Sequence, residues 1–176
     1  MKIGVDSFSL HPLELDVFGQ LAFAARLGFE GLHGGVDLDE GIERLADVRA
    51  EAACLGLYTE VGLGIINPCT ADCSREELQA RVTRQIEHAA ACGWHELHAV
   101  LGSSKERFSS TVPWTRQLES AAELLAALTP VLRAHGSRVN LETHGDATTF
   151  ELVRLVEQVG PAYAGICLDT ANVLCH

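Results

Sequence analysis

Val139-Asn140-Leu141-Glu142-Thr143-His144, entered from the helix end His135-Gly136, alternates apolar and polar residues. Side chains along a strand point alternately to opposite faces. Val139, Leu141 and Thr143 therefore share one face, and Asn140, Glu142 and His144 share the other. An apolar face suits a covering helix, whereas a face with ionisable groups late in the strand does not. A closed barrel of parallel strands reconciles the two, because helices cover its outside and its chemistry gathers at the C-terminal ends of the strands.

The same phase recurs outward from this stretch. Ala164, Ile166 and Leu168 oppose Gly165, Cys167 and Asp169, and Leu57, Thr59 and Val61 oppose Tyr58, Glu60 and Gly62. His98 opposes Leu97 and Ala99, and Asp6 opposes Val5. Each strand after the first is announced by one phrase, a helix that ends in Gly and runs at once into an apolar stretch. It reads Leu27-Gly28-Phe29-Glu30-Gly31-Leu32-His33, then Leu55-Gly56-Leu57-Tyr58, Cys92-Gly93-Trp94, His135-Gly136 and Val159-Gly160. Glycine just past a helix tolerates the left-handed conformation that closes it. Helices are expected over Leu13–Leu27, Asp39–Leu55 and Trp114–Ala134. Another is expected behind a Ser74/Glu77 capping box, and another behind Thr148 or Thr149. Short strands joined by helical crossovers must be parallel. No G-x-G-x-x-G or P-loop follows the first strand, which argues against a nucleotide-binding doubly wound sheet. The expectation is an α/β fold of parallel (β/α) TIM-barrel type. One incomplete domain over residues 1–176 would hold about six of the eight strand–helix units.

Bulk properties narrow the function classes. The 176 residues are 47% hydrophobic and 21% charged, in the range of globular proteins. A formal net charge of −11 without a Lys/Arg block argues against a nucleic-acid partner. No apolar run suits a membrane helix, and Asp6 interrupts the start too early for a signal peptide. Six cysteines are scattered over helix ends, a loop and a strand, which reads as a reduced, cytoplasmic protein. Cys69 and Cys73 lack a second Cys/His pair at zinc-site spacing and read as a plain loop.

Glu142 and Asp169 are the strongest candidate pair, each late on its strand, on neighbouring strands and in the inward phase. Two carboxylates converging at a barrel mouth repel unless a cation or a shared proton separates them, and a hard divalent ion with oxygen ligands meets that need. His144 shares the phase of Glu142 and can bind metal, donate to a substrate oxygen or orient the glutamate. His33, Glu60 and His98 supply further inward polar groups, with Asp6, Ser7 and His11 at the end of the first strand. Three other histidines, His88, His95 and His135, lie on or beside helices and receive no role.

Leu141-Glu142-Thr143-His144-Gly145-Asp146 and Gly165-Ile166-Cys167-Leu168-Asp169-Thr170-Ala171-Asn172 resemble strands five and six of the xylose-isomerase-like family of sugar isomerases and epimerases. Ile3-Gly4-Val5-Asp6-Ser7-Phe8-Ser9-Leu10-His11 and Leu27-Gly28-Phe29-Glu30-Gly31-Leu32 resemble its first two units. The resemblance implies that Glu142 and Asp169 bind a divalent metal, manganese first, with magnesium, cobalt or zinc as alternatives. It also implies that Glu142 moves a proton beside a sugar carbonyl through an enediolate. His144, Asn172, His33, Glu60, His98 and His11 are then candidates to contact a small carbohydrate, free or phosphorylated. Asn172 stands where the family often has His, and His33 where it often has Glu. A complete barrel takes about 250 residues, and the family draws a metal-binding His and Glu from strands seven and eight. The expectation is therefore a truncated, impaired isomerase or epimerase, with His176 as a spare donor. Two other readings compete. One is a non-catalytic sugar- or metal-binding partial barrel that self-associates through open edges. The other is a metal-dependent endonuclease of the same superfamily, which the acidic balance disfavours.

Overall fold

The computed structural model describes residues 2–175, so His176 lies outside the described residues. In chain order the elements are β1 (Gly4–Asp6), α1 (Ser7–Leu10), a 3-10 turn (His11–Leu13), α2 (Val17–Arg26), β2 (Gly31–His33), α3 (Ile42–Cys54) and β3 (Tyr58–Ile65). They continue with α4 (Arg75–Ala91), β4 (Glu96–Val100), α5 (Ser104–Arg107), α6 (Trp114–His135), β5 (Arg138–Glu142), α7 (Thr149–Val159), β6 (Ala164–Cys167) and a 3-10 turn (Asn172–Cys175). Strand order follows chain order, β1-β2-β3-β4-β5-β6, and the described registers are all parallel. A doubly wound sheet reverses its strand order near the middle; this chain does not. The α/β, (β/α)-barrel reading of the sequence holds.

The chain gathers into two compact units, Met1–Gly62 with His88–Trp94, and Leu63–Glu87 with His95–His176. In the first, Leu21, Ala24, Leu32, Leu45, Val48, Ala52 and Val61 are fully buried. Thr59 lies on the outward face of β3, where its hydroxyl accepts hydrogen bonds from Trp94 Nε1 at 2.9 Å and Arg49 Nη1 at 3.2 Å. A buried hydroxyl is tolerated there because it is paired. On the inward face the Tyr58 ring lies across Gly4 and Gly31, and a Cβ at either position would collide with it.

The second unit is cored by Leu78, Val82, Ile86, Leu124, Leu125, Leu128, Leu132 and Leu152. Leu97, Ala99, Val139 and Leu141, the expected outward residues, have no exposure. Their inward neighbours His98, Asn140 and Glu142 are half-buried, so the alternation that decided the fold is observed. The cover fails at β6. Ala164 is buried, but Ile166 is 36% and Leu168 59% exposed, although both lie on the face expected under helices.

Several boundaries move. Helix α2 starts at Val17 rather than Leu13, because the Asp16 carboxylate caps it by accepting from the Gly19 amide at 2.8 Å. Helix α3 starts at Ile42 rather than Asp39, whose amide instead donates to the Asp37 carboxylate. Thr148 caps α7 in a reciprocal box with Glu151, and Ser74 pairs with Glu77 as its spacing indicated. Gly136 closes α6 with φ of 59°, and Gly28, Gly56 and Gly93 also take positive φ.

Candidate functional site

In the second unit, β4 and β5 pair with His98 opposite Asn140, which places Glu142 one pleat further along the same face. From there His98 Nε2–H donates to Glu142 Oε2 at 2.6 Å, within a pair whose side chains are 19% and 17% exposed. That hydrogen bond, with the charge of His98 and His144 adding to it, holds the Glu142 carboxyl below its ordinary value against the opposing effects of burial and Asp169. Glu142 is therefore ionised at neutral pH.

The alternation had placed the end of the sixth strand at Asp169, but β6 ends at Cys167, and Asp169 lies two residues past it. It is fixed instead by Thr143, the first residue past β5. The Asp169 amide donates to Thr143 Oγ1 at 2.8 Å, and that hydroxyl donates back to the Asp169 carbonyl at 3.1 Å. Asp169 Oδ1 then accepts from the amides of Ala171 and Asn172 at 2.8 and 3.2 Å, which winds the following turn around the carboxylate. The Asn172 Nδ2 donates to Asp169 Oδ2 at 2.8 Å and approaches Glu142 Oε1 at 3.4 Å. One amide thus stands between the two carboxylates.

His144 does not continue β5, which ends at Glu142. Its Nδ1–H donates to the Gly102 carbonyl at 2.7 Å, which leaves Nε2 outside that bond. The loop behind it is clamped by Arg107, whose Nη1 donates to the Asp146 carbonyl at 2.6 Å and to Glu151 Oε2 at 2.8 Å. Arg107 sits on α5, a helix the sequence reading missed although Ser103 and Glu106 repeat the capping-box spacing of Ser74 and Glu77. Asp146 was also missed. It is fully buried with Oδ2 unpartnered, and burial pushes its carboxyl above the ordinary range.

The first unit holds a cluster of its own. His33 and Glu60 are register partners across β2 and β3, and His33 Nδ1–H donates to Glu60 Oε2 at 2.9 Å. His33 Nε2 lies 3.8 Å from Asp6 Oδ2, while Asp6 Oδ1 caps α1 through the Phe8 amide at 2.7 Å. His11 is exposed in the 3-10 turn and makes a backbone bond to the Glu14 amide. Of the expected site residues, the structure thus brings together His98, Glu142, Asn172 and Asp169 in one unit, and His33 and Glu60 in the other. The histidines left without a role have local ones. His88 donates to the Leu38 carbonyl and His95 to the His135 carbonyl, each at 3.0 Å.

Among the described residues no three His, Cys, Asp or Glu side chains converge to hold a metal ion by themselves. The donor chemistry nonetheless fits a hard cation in part, since two carboxylates face one shared position that the Asn172 amide group bridges. Among the same residues no helix is long and apolar enough to cross a membrane.

A family model described as xylose isomerase-like TIM barrel matches residues 21–176. No curated protein sequence matches. Among solved structures, D-psicose 3-epimerase from Clostridium cellulolyticum H10, with D-tagatose, superposes with TM-score 0.82 at 21% identity. The match covers 99% of this chain and 65% of that one. A D-psicose 3-epimerase solved in the presence of D-fructose gives 0.81 at 20% identity with the same coverages. An IOLI protein with a bound zinc atom gives 0.67 at 16% identity, covering 98% of this chain and 64% of that one. The chain therefore spans about 65% of the length of the epimerase structures it resembles.

Proposed function

The chain belongs to the xylose isomerase-like TIM-barrel family, and from that premise we propose that it carries the proton-transfer half of a divalent-metal-dependent sugar isomerase or epimerase. The observation that carries the reading is the inward-facing pair of Glu142 and Asp169, bridged by Asn172 and backed by His98. The likeness to sugar epimerase structures supports the substrate class, a ketose or its phosphate.

Glu142 is the acid/base group. Its depressed carboxyl keeps it ionised and able to accept a proton from a carbon beside a carbonyl. His98 holds Oε2, so that Oε1 is the oxygen turned toward Asn172 and Asp169. His144, with Nδ1–H committed to Gly102, offers Nε2 to a substrate hydroxyl. A divalent cation held by Glu142 and Asp169, manganese by preference, would supply electrostatic stabilisation of an enediolate's negative oxygens. Epimerisation also needs a second base on the opposite face of the carbon, which by family resemblance comes from a later strand. Activity of these residues alone is accordingly low or nil. The free thiols of Cys54, Cys69, Cys73 and Cys92 support a reducing, cytoplasmic setting. A second reading, a non-catalytic sugar- or metal-binding protein that self-associates, is favoured by the exposed Ile166 and Leu168 on an uncovered strand face.

The test is a manganese titration by calorimetry, paired with ketose turnover measured by polarimetry. Saturable binding that is lost in Glu142→Gln supports the enzyme reading. A folded chain that binds neither manganese nor ketose would remove it.

A further inference from the structure

We propose that Asn172 is a third oxygen ligand of the Glu142–Asp169 cation site, reached by rotating its carboxamide so that Oδ1 replaces Nδ2. This deepens the metal-dependent reading above and rests on it. Around a cation with bonds of about 2.1 Å in octahedral geometry, adjacent donor atoms stand roughly 3 Å apart. The terminal amide atom of Asn172 is 2.8 Å from Asp169 Oδ2 and 3.4 Å from Glu142 Oε1, the separations expected of neighbouring corners.

Without a cation two carboxylates need a donor between them, and Nδ2–H serves. With a cation present, the same N–H group would point its positive edge at a positive ion. A half-turn about the terminal torsion of Asn exchanges N for O at nearly the same place, and that torsion is broadly two-fold. The carboxamide then passes from hydrogen-bond donor to metal ligand without any backbone movement.

The Asn172 amide and the Ala171 amide both donate to Asp169 Oδ1, so the turn that carries the third donor is tied to the second ligand. Asp169 is itself tied to Thr143 beside Glu142. Three oxygen donors of carboxylate and carbonyl type select manganese or magnesium over softer ions.

The experiment is a manganese titration of the chain and of Asn172→Ala, Asn172→Asp and Glu142→Gln, followed by calorimetry and by the electron paramagnetic resonance of free manganese. Circular dichroism checks that each variant is folded. The expected result is an affinity loss of about tenfold or more in Asn172→Ala, no loss in Asn172→Asp, and no binding in Glu142→Gln. Equal affinity in Asn172→Ala, with no binding in Glu142→Gln, would overturn the role of Asn172 and leave the metal reading standing. Tighter binding in Asn172→Ala would show the amide to be a competitor for the cation, which also overturns the proposal. No binding by the unsubstituted chain would overturn both.

Discussion

His33 and His98 occupy the same place in two strand pairs and meet different surroundings. Each lies on an even-numbered strand, and each donates to a glutamate on the next, His33 to Glu60 at 2.9 Å and His98 to Glu142 at 2.6 Å. The first pair is level in register, with the Glu60 side chain 57% exposed. The second is offset by a pleat, and both its side chains are under 20% exposed. Water screens the first pair and leaves it little net energy. The second sits where a hydrogen bond to a charged group keeps more of its strength. It also faces another carboxylate through Asn172. An imidazole–carboxylate contact becomes a candidate for chemistry only when partial burial and a convergent charge accompany it.

The comparison breaks most readily on metal binding. Glu142→Gln is expected to abolish manganese binding and Glu60→Gln to leave it within about twofold; equal losses in a calorimetric titration would make the two clusters equivalent. A smaller effect is expected in stability. His98→Ala should cost about 1.5–3 kcal/mol, and His33→Ala less than about 1 kcal/mol, read from urea midpoints at pH 7.

The pH dependence sharpens the same contrast. Because the folded Glu142 carboxyl lies below its ordinary value of 4.5, the unfolded chain binds that proton more readily. Its stabilisation is complete above about pH 4.5 and is lost as the pH falls through the lower folded value. Glu142→Gln should therefore narrow the difference in urea midpoint between pH 7 and acid. An unchanged difference would mean that other carboxylates set the acid limb. The smallest effect is that of salt. About 0.5 M NaCl should erase most of the cost of His33→Ala while sparing that of His98→Ala.

Much of the frame was legible because it is periodic. The helix–Gly–strand phrase places every strand after the first, and the strict alternation at Val139 to Glu142 puts Glu142 on the inner face, opposite the buried Val139 and Leu141. The contacts that make a site were not legible. His98 and Glu142 are 44 residues apart and meet through a diagonal of the register, which periodicity does not encode. Asp169 owes its position to a side-chain hydroxyl rather than to a strand, and Asn172 to the turn that Asp169 caps. Helix α5 was legible from Ser103 and Glu106 but has a single turn, too short for an apolar stripe. Ile166 and Leu168 show the limit of pattern from the other side, since alternation tells which face is apolar but not whether anything covers it.

The Tyr58 ring over Gly4 and Gly31 bears on how this sequence can drift. Three positions on three successive strands share one side chain's volume, and a close-packed interior penalises both a surplus and a deficit. A lone methyl gained at position 31 would meet the ring, and the loss of the ring alone would leave a void. Permitted changes are therefore concerted, a smaller residue at 58 accompanied by a larger one at 4 or 31. Across descendants of this chain the three positions should vary together, as a single unit of inheritance.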